Sequence, residues 1–235
     1  MKNAMEIIQN DTTVNQHPMP EPSVSGVFGH GWEILKKNFP ELLLLLLIQM
    51  LLSAPLGFMN AVFNMPFAGT FTSGLFNLVY GVLVLMPVSY GASWVFLKAA
   101  RGEPFKVQDI FFAYQSFGNI LVANILVSLI VVAGFIMLIV PGIIFACKLS
   151  FVPYLVMDEK MDATEAIKKS WHMTKGYTGT IFLMGLSSFF IGLGGLICFI
   201  VGIFPAAIWI SLAFASVYMV VSDKSKQEKS AVIGS

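Results

Sequence analysis

Charge is what this chain has least of. Only 11% of its 235 residues are Asp, Glu, Lys or Arg, less than half the share of about 25% that a soluble domain carries. With 57% hydrophobic residues, that scarcity excludes a soluble enzyme, a disordered chain and a free nucleic-acid binder, and points to a polytopic membrane protein. Cysteine is scarcer still. Cys147 and Cys198 both lie in apolar runs and read as small buried hydrophobes, with no redox chemistry implied. His17, His30 and His172 have no Cys, Asp or Glu at ligand spacing, so neither a metal nor any other cofactor is expected. There is no Ser-His-Asp constellation, and no Walker or dinucleotide motif. The run Gly192-x-Gly194-Gly195 sits inside an apolar stretch and reads as helix packing. The acidic run Asp158-Glu159-Lys160-Met161-Asp162 reads as a solvated, capped loop. No catalytic residue is assigned, and the chain is not expected to be an enzyme.

What is present is a succession of apolar runs. A bilayer core of about 30 Å needs about 20 residues at 1.5 Å each. That ruler finds six spans, at about 41–59, 75–97, 119–140, 142–157, 178–200 and 205–221. The fold class is therefore all-α integral membrane, with a six-span domain over 23–222, a flexible polar tail over 1–22 and a second tail over 223–235. Pro55 is expected to bend or end the first span, and the fourth is short, between Pro141-Gly142 and Asp158-Glu159. Pro87 and Pro153 also interrupt helices.

The loops give the orientation. Lys36 and Lys37 precede span one; Lys98, Arg101 and Lys106 follow span two. Lys160, Lys168, Lys169 and Lys175 follow span four, and Lys224, Lys226 and Lys229 follow span six. Residues 60–74, the Val140-Pro141 corner and residues 201–204 carry no charge. The positive-inside rule then predicts both termini in the cytosol.

Each odd span is preceded by a segment with a helical apolar period: Val24, Val27, Phe28, Trp32 and Leu35; Val107, Ile110, Phe111, Tyr114 and Phe117; and Ala163, Ala166, Ile167, Trp171 and Thr174. Asp162 and Glu165 stand at capping-box spacing before the third. The pattern predicts three hairpins, each preceded by a cytosolic amphipathic interfacial helix. Trp32, Tyr114, Trp171 and Tyr177 are the expected interfacial anchors, since Trp and Tyr favour the headgroup level. The same helices could equally pack under the bundle as a cytosolic collar.

The stretch Pro141-Gly142-Ile143-Ile144, Leu149-Ser150-Phe151-Val152-Pro153-Tyr154, Asp158-Glu159, then Ala166 to Ser170-Trp171 and Lys175-Gly176 resembles bacterial multi-pass membrane proteins related to the membrane domain of glycerophosphoryl diester phosphodiesterases. The resemblance covers about residues 135–221. It implies a membrane module. Hydrolysis in the fused members belongs to a separate soluble barrel with clustered acidic and His ligands, which this chain does not contain, so no catalytic residue carries over.

Lys148 is the only formal charge inside a predicted span. At mid-membrane a lysine costs about 2.5 to 3.5 kcal/mol on insertion scales, so it either faces a cavity, partner or anionic ligand or snorkels along a short helix. Its polar partners could be Gln49, Tyr90, Asn119, Asn124, Ser150 or a lipid headgroup, and Lys148, Asn124, Gln49 and Tyr90 are the candidates for a solute or lipid contact. Gln49, Asn124, Ser187, Ser188, Ser211 and Ser216 are expected to hydrogen-bond between helices, and Gly185, Gly192, Gly194, Gly195 and Gly202 to let spans five and six approach closely. Two functions follow. One is a non-enzymatic module that organises lipids, anionic ones included, or a membrane-protein partner in the bilayer. The other is a small transporter or channel for an anionic or amphipathic solute, with Lys148 lining the path.

Overall fold

The computed structural model describes residues 23–62, 68–197 and 202–233. Regular structure among them is helical throughout: α1 (Val24–Lys37), α2 (Phe39–Val62), α3 (Ala68–Tyr80), a π-helical turn (Gly81–Leu85), α4 (Met86–Arg101), a 3-10 segment (Val107–Ser116), α5 (Phe117–Met137), α6 (Ile139–Leu149), α7 (Val152–Asp158), α8 (Ala163–Met173), α9 (Thr178–Ile197) and α10 (Ile203–Ile233). Six stretches are long and apolar enough to cross a membrane: Phe39–Phe58, Gly74–Arg101, Val107–Met137, Ile139–Asp158, Thr178–Ile197 and Ile203–Gln227. The expected tail over 1–22 and Cys198 lie outside the described residues.

Burial divides the spans into two sets. In the even ones 28%, 39% and 56% of the apolar window is buried, against 11%, 17% and 17% in the odd ones. The second, fourth and sixth spans thus form an inner trio, and the first, third and fifth lie around it. Lipid tails are as apolar as leucine, so close packing and polar contacts, and not water exclusion, must hold such a trio together. Its buried side chains crowd toward the helix C-terminal ends, over Val88–Ala100, Leu149–Met157 and Ile208–Val221, while Ile136, Met137 and Ile197 at the opposite end stand open.

Several local readings change. α2 continues as helix through Pro55 to Val62, so the proline does not end it; next to the Leu51 carbonyl that it leaves without an N–H, Ser53 donates to the Met50 carbonyl and Tyr80 to that of Leu52. The corner before span four falls at Leu138, whose backbone is extended, and Pro141 lies in the first turn of α6, where proline's missing N–H costs least. The tail over 223–235 is helical as far as Ile233, in continuation of α10; from Lys224 to Lys229 it contains no Gly or Pro to stop a helix. Asp162 is the N-cap of α8, but its side chain makes no capping bond.

The segment before span three differs in kind. It is a 3-10 helix, so its inward face repeats every three residues: Ile110 and Ala113 are buried while Phe111 and Tyr114 are exposed. It packs on α4 so tightly that a Cβ built on Gly91 would lie 1.8 Å from the Ile110 carbonyl oxygen. Of the glycines expected to bring spans five and six together, Gly195 does so, with a would-be Cβ 2.8 Å from the Gly202 carbonyl oxygen, whereas Gly185, Gly192 and Gly194 face open space.

Gly91→Ala should therefore lower unfolding stability in detergent by about 1 to 3 kcal/mol, the usual cost of overpacking. Gly185→Ala, which meets nothing within 4 Å, should leave it unchanged or raise it by no more than about 1 kcal/mol. Thermal or denaturant unfolding of the two variants checks both.

Candidate functional site

The three inner spans end in a shared polar lock. Arg101, last residue of α4, presents its two guanidinium nitrogens to the two carboxylate oxygens of Asp158, last residue of α7, each at 2.6 Å. The Tyr218 hydroxyl of α10 donates to the same carboxylate at 3.0 Å. Both ionic side chains are largely covered, at 22% and 9% exposure, so this is a bidentate, charge-assisted contact sheltered from water. Aromatic packing carries it inward: Tyr154 stacks on Tyr218 with centroids 5.0 Å apart, and Phe151 meets Tyr218 edge-on at 5.6 Å. Around the lock, Lys169 pairs with Glu159, Lys226 reaches Glu159 at 4.0 Å, and Lys98 pairs with Asp109 at 2.9 Å.

Above the lock the fourth span is broken. A turn at Ser150-Phe151 separates α6 from α7, and Pro153 falls in the first turn of the new helix. The last carbonyls of a helix lack internal donors; here the Lys148 carbonyl receives the Ser170 hydroxyl at 2.7 Å, while the Thr174 hydroxyl beside it donates to the Ser170 carbonyl at 2.8 Å. The Ser-Trp pair of α8 acts twice, because the Lys148 ammonium sits 4.1 Å from the centroid of the Trp171 ring, a cation–π contact. Phe145 packs on the same indole at 5.4 Å.

Beside the break lies a cavity of about 370 Å³ between α2, α4, the α6–α7 junction and α10. Its polar wall consists of Gln49, Ser89, Ser93, Ser150, Tyr154 and Ser211, backed by apolar groups such as Phe96 and Phe214, and no charged side chain lines it. Each serine spends its proton on its own helix: Ser89 on Met86, Ser93 on Ser89, Ser150 on Cys147 and Ser211 on Ala207, at 2.8 to 3.0 Å. What the serines leave toward the space is oxygen lone pairs, and the donor-bearing groups of the wall are the Gln49 amide and the Tyr154 hydroxyl. Gln49 also lines a second hollow, of about 430 Å³, with Leu46, Met50, Ser53, Ile203 and Phe204.

The residues singled out from sequence are thus distributed unevenly. Lys148 and Trp171, chosen for separate reasons, meet each other, and neither lines the cavity. Gln49 lines it. Tyr90 is buried on α4, and Asn124 is half-buried on α5. Trp32 lies tilted against Trp209 of α10 at 5.1 Å, Tyr114 donates to the Leu83 carbonyl at 3.2 Å, and Tyr177 faces Lys224 at 5.7 Å. The Trp209 indole donates to the Phe28 carbonyl, and His30 Nδ1 lies 3.1 Å from Ser216 Oγ. α1 therefore packs directly on α10, inside the stretch Ile203–Gln227. Of the serines expected to bridge helices, Ser188 and Ser211 bond within their own. Among the described residues no group of His, Cys, Asp and Glu could hold a metal ion.

Sequence reasoning missed the lock itself. Arg101 and Asp158 lie 57 positions apart, and in the sequence each reads as part of a loop. The available signal was position: each is the first charged residue beyond Lys98 or after the apolar run of its span. Comparison with protein-family models, with curated proteins and with solved structures finds no match for this chain.

Removing one partner of a covered ion pair leaves the other unpaired. Asp158→Asn should thus destabilise the protein by about 3 kcal/mol, and Tyr218→Phe, which removes one hydrogen bond to a charged acceptor, by about 1.5 kcal/mol. Unfolding curves in one detergent would rank the two; equal losses would show that Tyr218 carries as much as the ion pair.

Proposed function

We propose that this chain is a non-enzymatic integral-membrane module that organises lipids at a bacterial inner membrane by receiving an amphipathic molecule in the cavity beside the broken fourth span. The observation that carries this reading is the wall of that cavity. It has several polar groups at one place in an otherwise apolar bundle, no charge, and no pairing of a nucleophile with a base. Hydroxyls already bonded to their own helix backbone can orient a ligand, but nothing adjacent draws off their proton to make them attack one. The resemblance noted in the sequence, to membrane modules separable from any hydrolytic barrel, agrees with it.

The architecture proposed for this module is three hairpins with both termini cytosolic. The segments ahead of the odd spans anchor it: α1 and α8 each bury one face against the bundle, and Trp32 and Tyr114 remain more than two-fifths exposed. A membrane-protein partner would meet the same exposed aromatics. The loops that gather the lysines mark the cytosolic end. Single cysteines at 103 and 225 should then react with an impermeant maleimide only after cells are permeabilised; labelling of intact cells at either position would reverse the orientation.

A second reading, a transporter, is favoured by one feature, the discontinuous helix at the cavity wall, a form that transporters use at their binding sites. In it the path would run past Ser150 and Tyr154, with Lys148 held to one side by Trp171.

Ser93→Phe puts a ring into the cavity. In native nanodiscs analysed by mass spectrometry, the wild-type chain should carry a lipid species enriched over the bulk membrane, and the folded Ser93→Phe protein should lose that enrichment about tenfold. Identical bulk composition around both would remove the lipid-site reading, and flux through proteoliposomes would then test the transporter.

A further inference from the structure

The wall chemistry goes further and specifies the head of the bound molecule. We infer that the cavity selects an amphipathic molecule with a neutral hydroxyl head and discriminates against phosphate or other anionic heads; this rests on the reading of the cavity as a lipid site.

Three observations lead there. First, the four serines of the wall offer acceptors and no free proton, which leaves the Gln49 amide and the Tyr154 hydroxyl as the lining groups able to donate, and none of these is charged. All four serine protons are engaged with backbone carbonyls of Met86, Ser89, Cys147 and Ala207, so their oxygens can accept but not give. An anionic head needs donors, and a buried anion left without them is costly.

Second, the cations that would neutralise an anion are committed elsewhere. The Lys148 ammonium lies over Trp171 at 4.1 Å, and Arg101 is held by Asp158 through both nitrogens. A cationic head fares no better, since no carboxylate lines the space and Asp158 is already shared between Arg101 and Tyr218. A neutral donor is what remains, and a hydroxyl supplies one proton to an acceptor wall while its own oxygen can accept from the Gln49 amide.

Third, the head has a place for its tail. Gln49 belongs to both the polar cavity and the neighbouring hollow, whose other walls are the apolar Leu46, Met50, Ile203 and Phe204 together with Ser53, its hydroxyl spent on the Met50 carbonyl. A molecule with its hydroxyl near Ser150 and Ser211 can run its chain past Gln49 into that hollow, between α2 and the beginning of α10. A small free alcohol would leave the hollow unused.

The test uses the full-length protein in nanodiscs and two photoactivatable lipids with identical acyl chains, a diacylglycerol and the corresponding phosphatidic acid. Crosslinks are mapped to peptides. The diacylglycerol should label the peptides holding Gln49 and Ser211 about tenfold more than the phosphatidic acid does, the ratio that corresponds to roughly one hydrogen bond's difference. Ser89→Ala with Ser211→Ala should cut diacylglycerol labelling about threefold to tenfold without moving the unfolding midpoint. Equal or stronger labelling by phosphatidic acid at those peptides would overturn the hydroxyl inference and leave the lipid site standing. Labelling of neither peptide by either probe, with the protein folded, would overturn both.

Discussion

The contact of Arg101 with Asp158 and Tyr218 is the constraint on which the rest of the architecture depends. In lipid, three apolar helices gain nothing from hiding their leucines from one another, since the solvent is equally apolar. What can fix their relative rotation and depth is a contact that works only in one geometry. A planar guanidinium facing a carboxylate with both nitrogens is such a contact, and it ties the ends of α4 and α7 together; the tyrosine brings in α10. Once those three ends are pinned, the close approach of Gly91 to the Ile110 carbonyl and the stacking of Tyr154 on Tyr218 become possible. The outer spans can then be held loosely.

The break in the fourth span has the same logic at a second level. A helix interrupted within a membrane must find donors for its last carbonyls, and the Ser170 hydroxyl, from a helix outside the inner trio, supplies one to Lys148. The charged side chain of that residue is then stabilised by an aromatic face and not by a counter-ion. Lysine, serine and tryptophan form one unit, and it leaves the opposite side of the break free to line a space without charge.

Much of the fold was legible in the sequence, and the reason is composition. Runs of about 20 apolar residues have few alternatives in a membrane, so six spans follow from hydropathy, and their ends from the first charges. What was illegible depended on contacts distant in the chain. Pro55 reads as a place to bend or end the span, and only the packing of the next helix, where Tyr80 reaches the Leu52 carbonyl, shows the helix carried past it. The segment over 107–116 reads as an α-helix because Val107, Ile110, Phe111 and Tyr114 suit a period of 3.6. Packed on α4 at Gly91, it takes the tighter winding that turns Ile110 and Ala113 inward. In the site, Gln49 and Ser211 announce themselves as polar groups in apolar runs, but Ser89 and Ser93 join them only through the packing of α4 against the α6–α7 junction. Lys148 was conspicuous for its cost and was read as a candidate for solute contact; its partner, one helix away, could not be seen from spacing.

One rod connects all these parts. α10 touches α1 through Trp209, walls the cavity with Ser211, supplies Tyr218 to the lock, and continues as helix to Ile233. An α-helix is stiff along its axis, and Ser211 and Tyr218 stand about 10 Å apart on it at 1.5 Å per residue. A pull of roughly 1 Å at the far end would therefore reach both at nearly full amplitude, which is enough to take the tyrosine hydroxyl out of hydrogen-bonding range. In mechanical terms the release of the lock and the reshaping of the cavity are a single movement, and the handle for it is the stretch of α10 that extends past the lock.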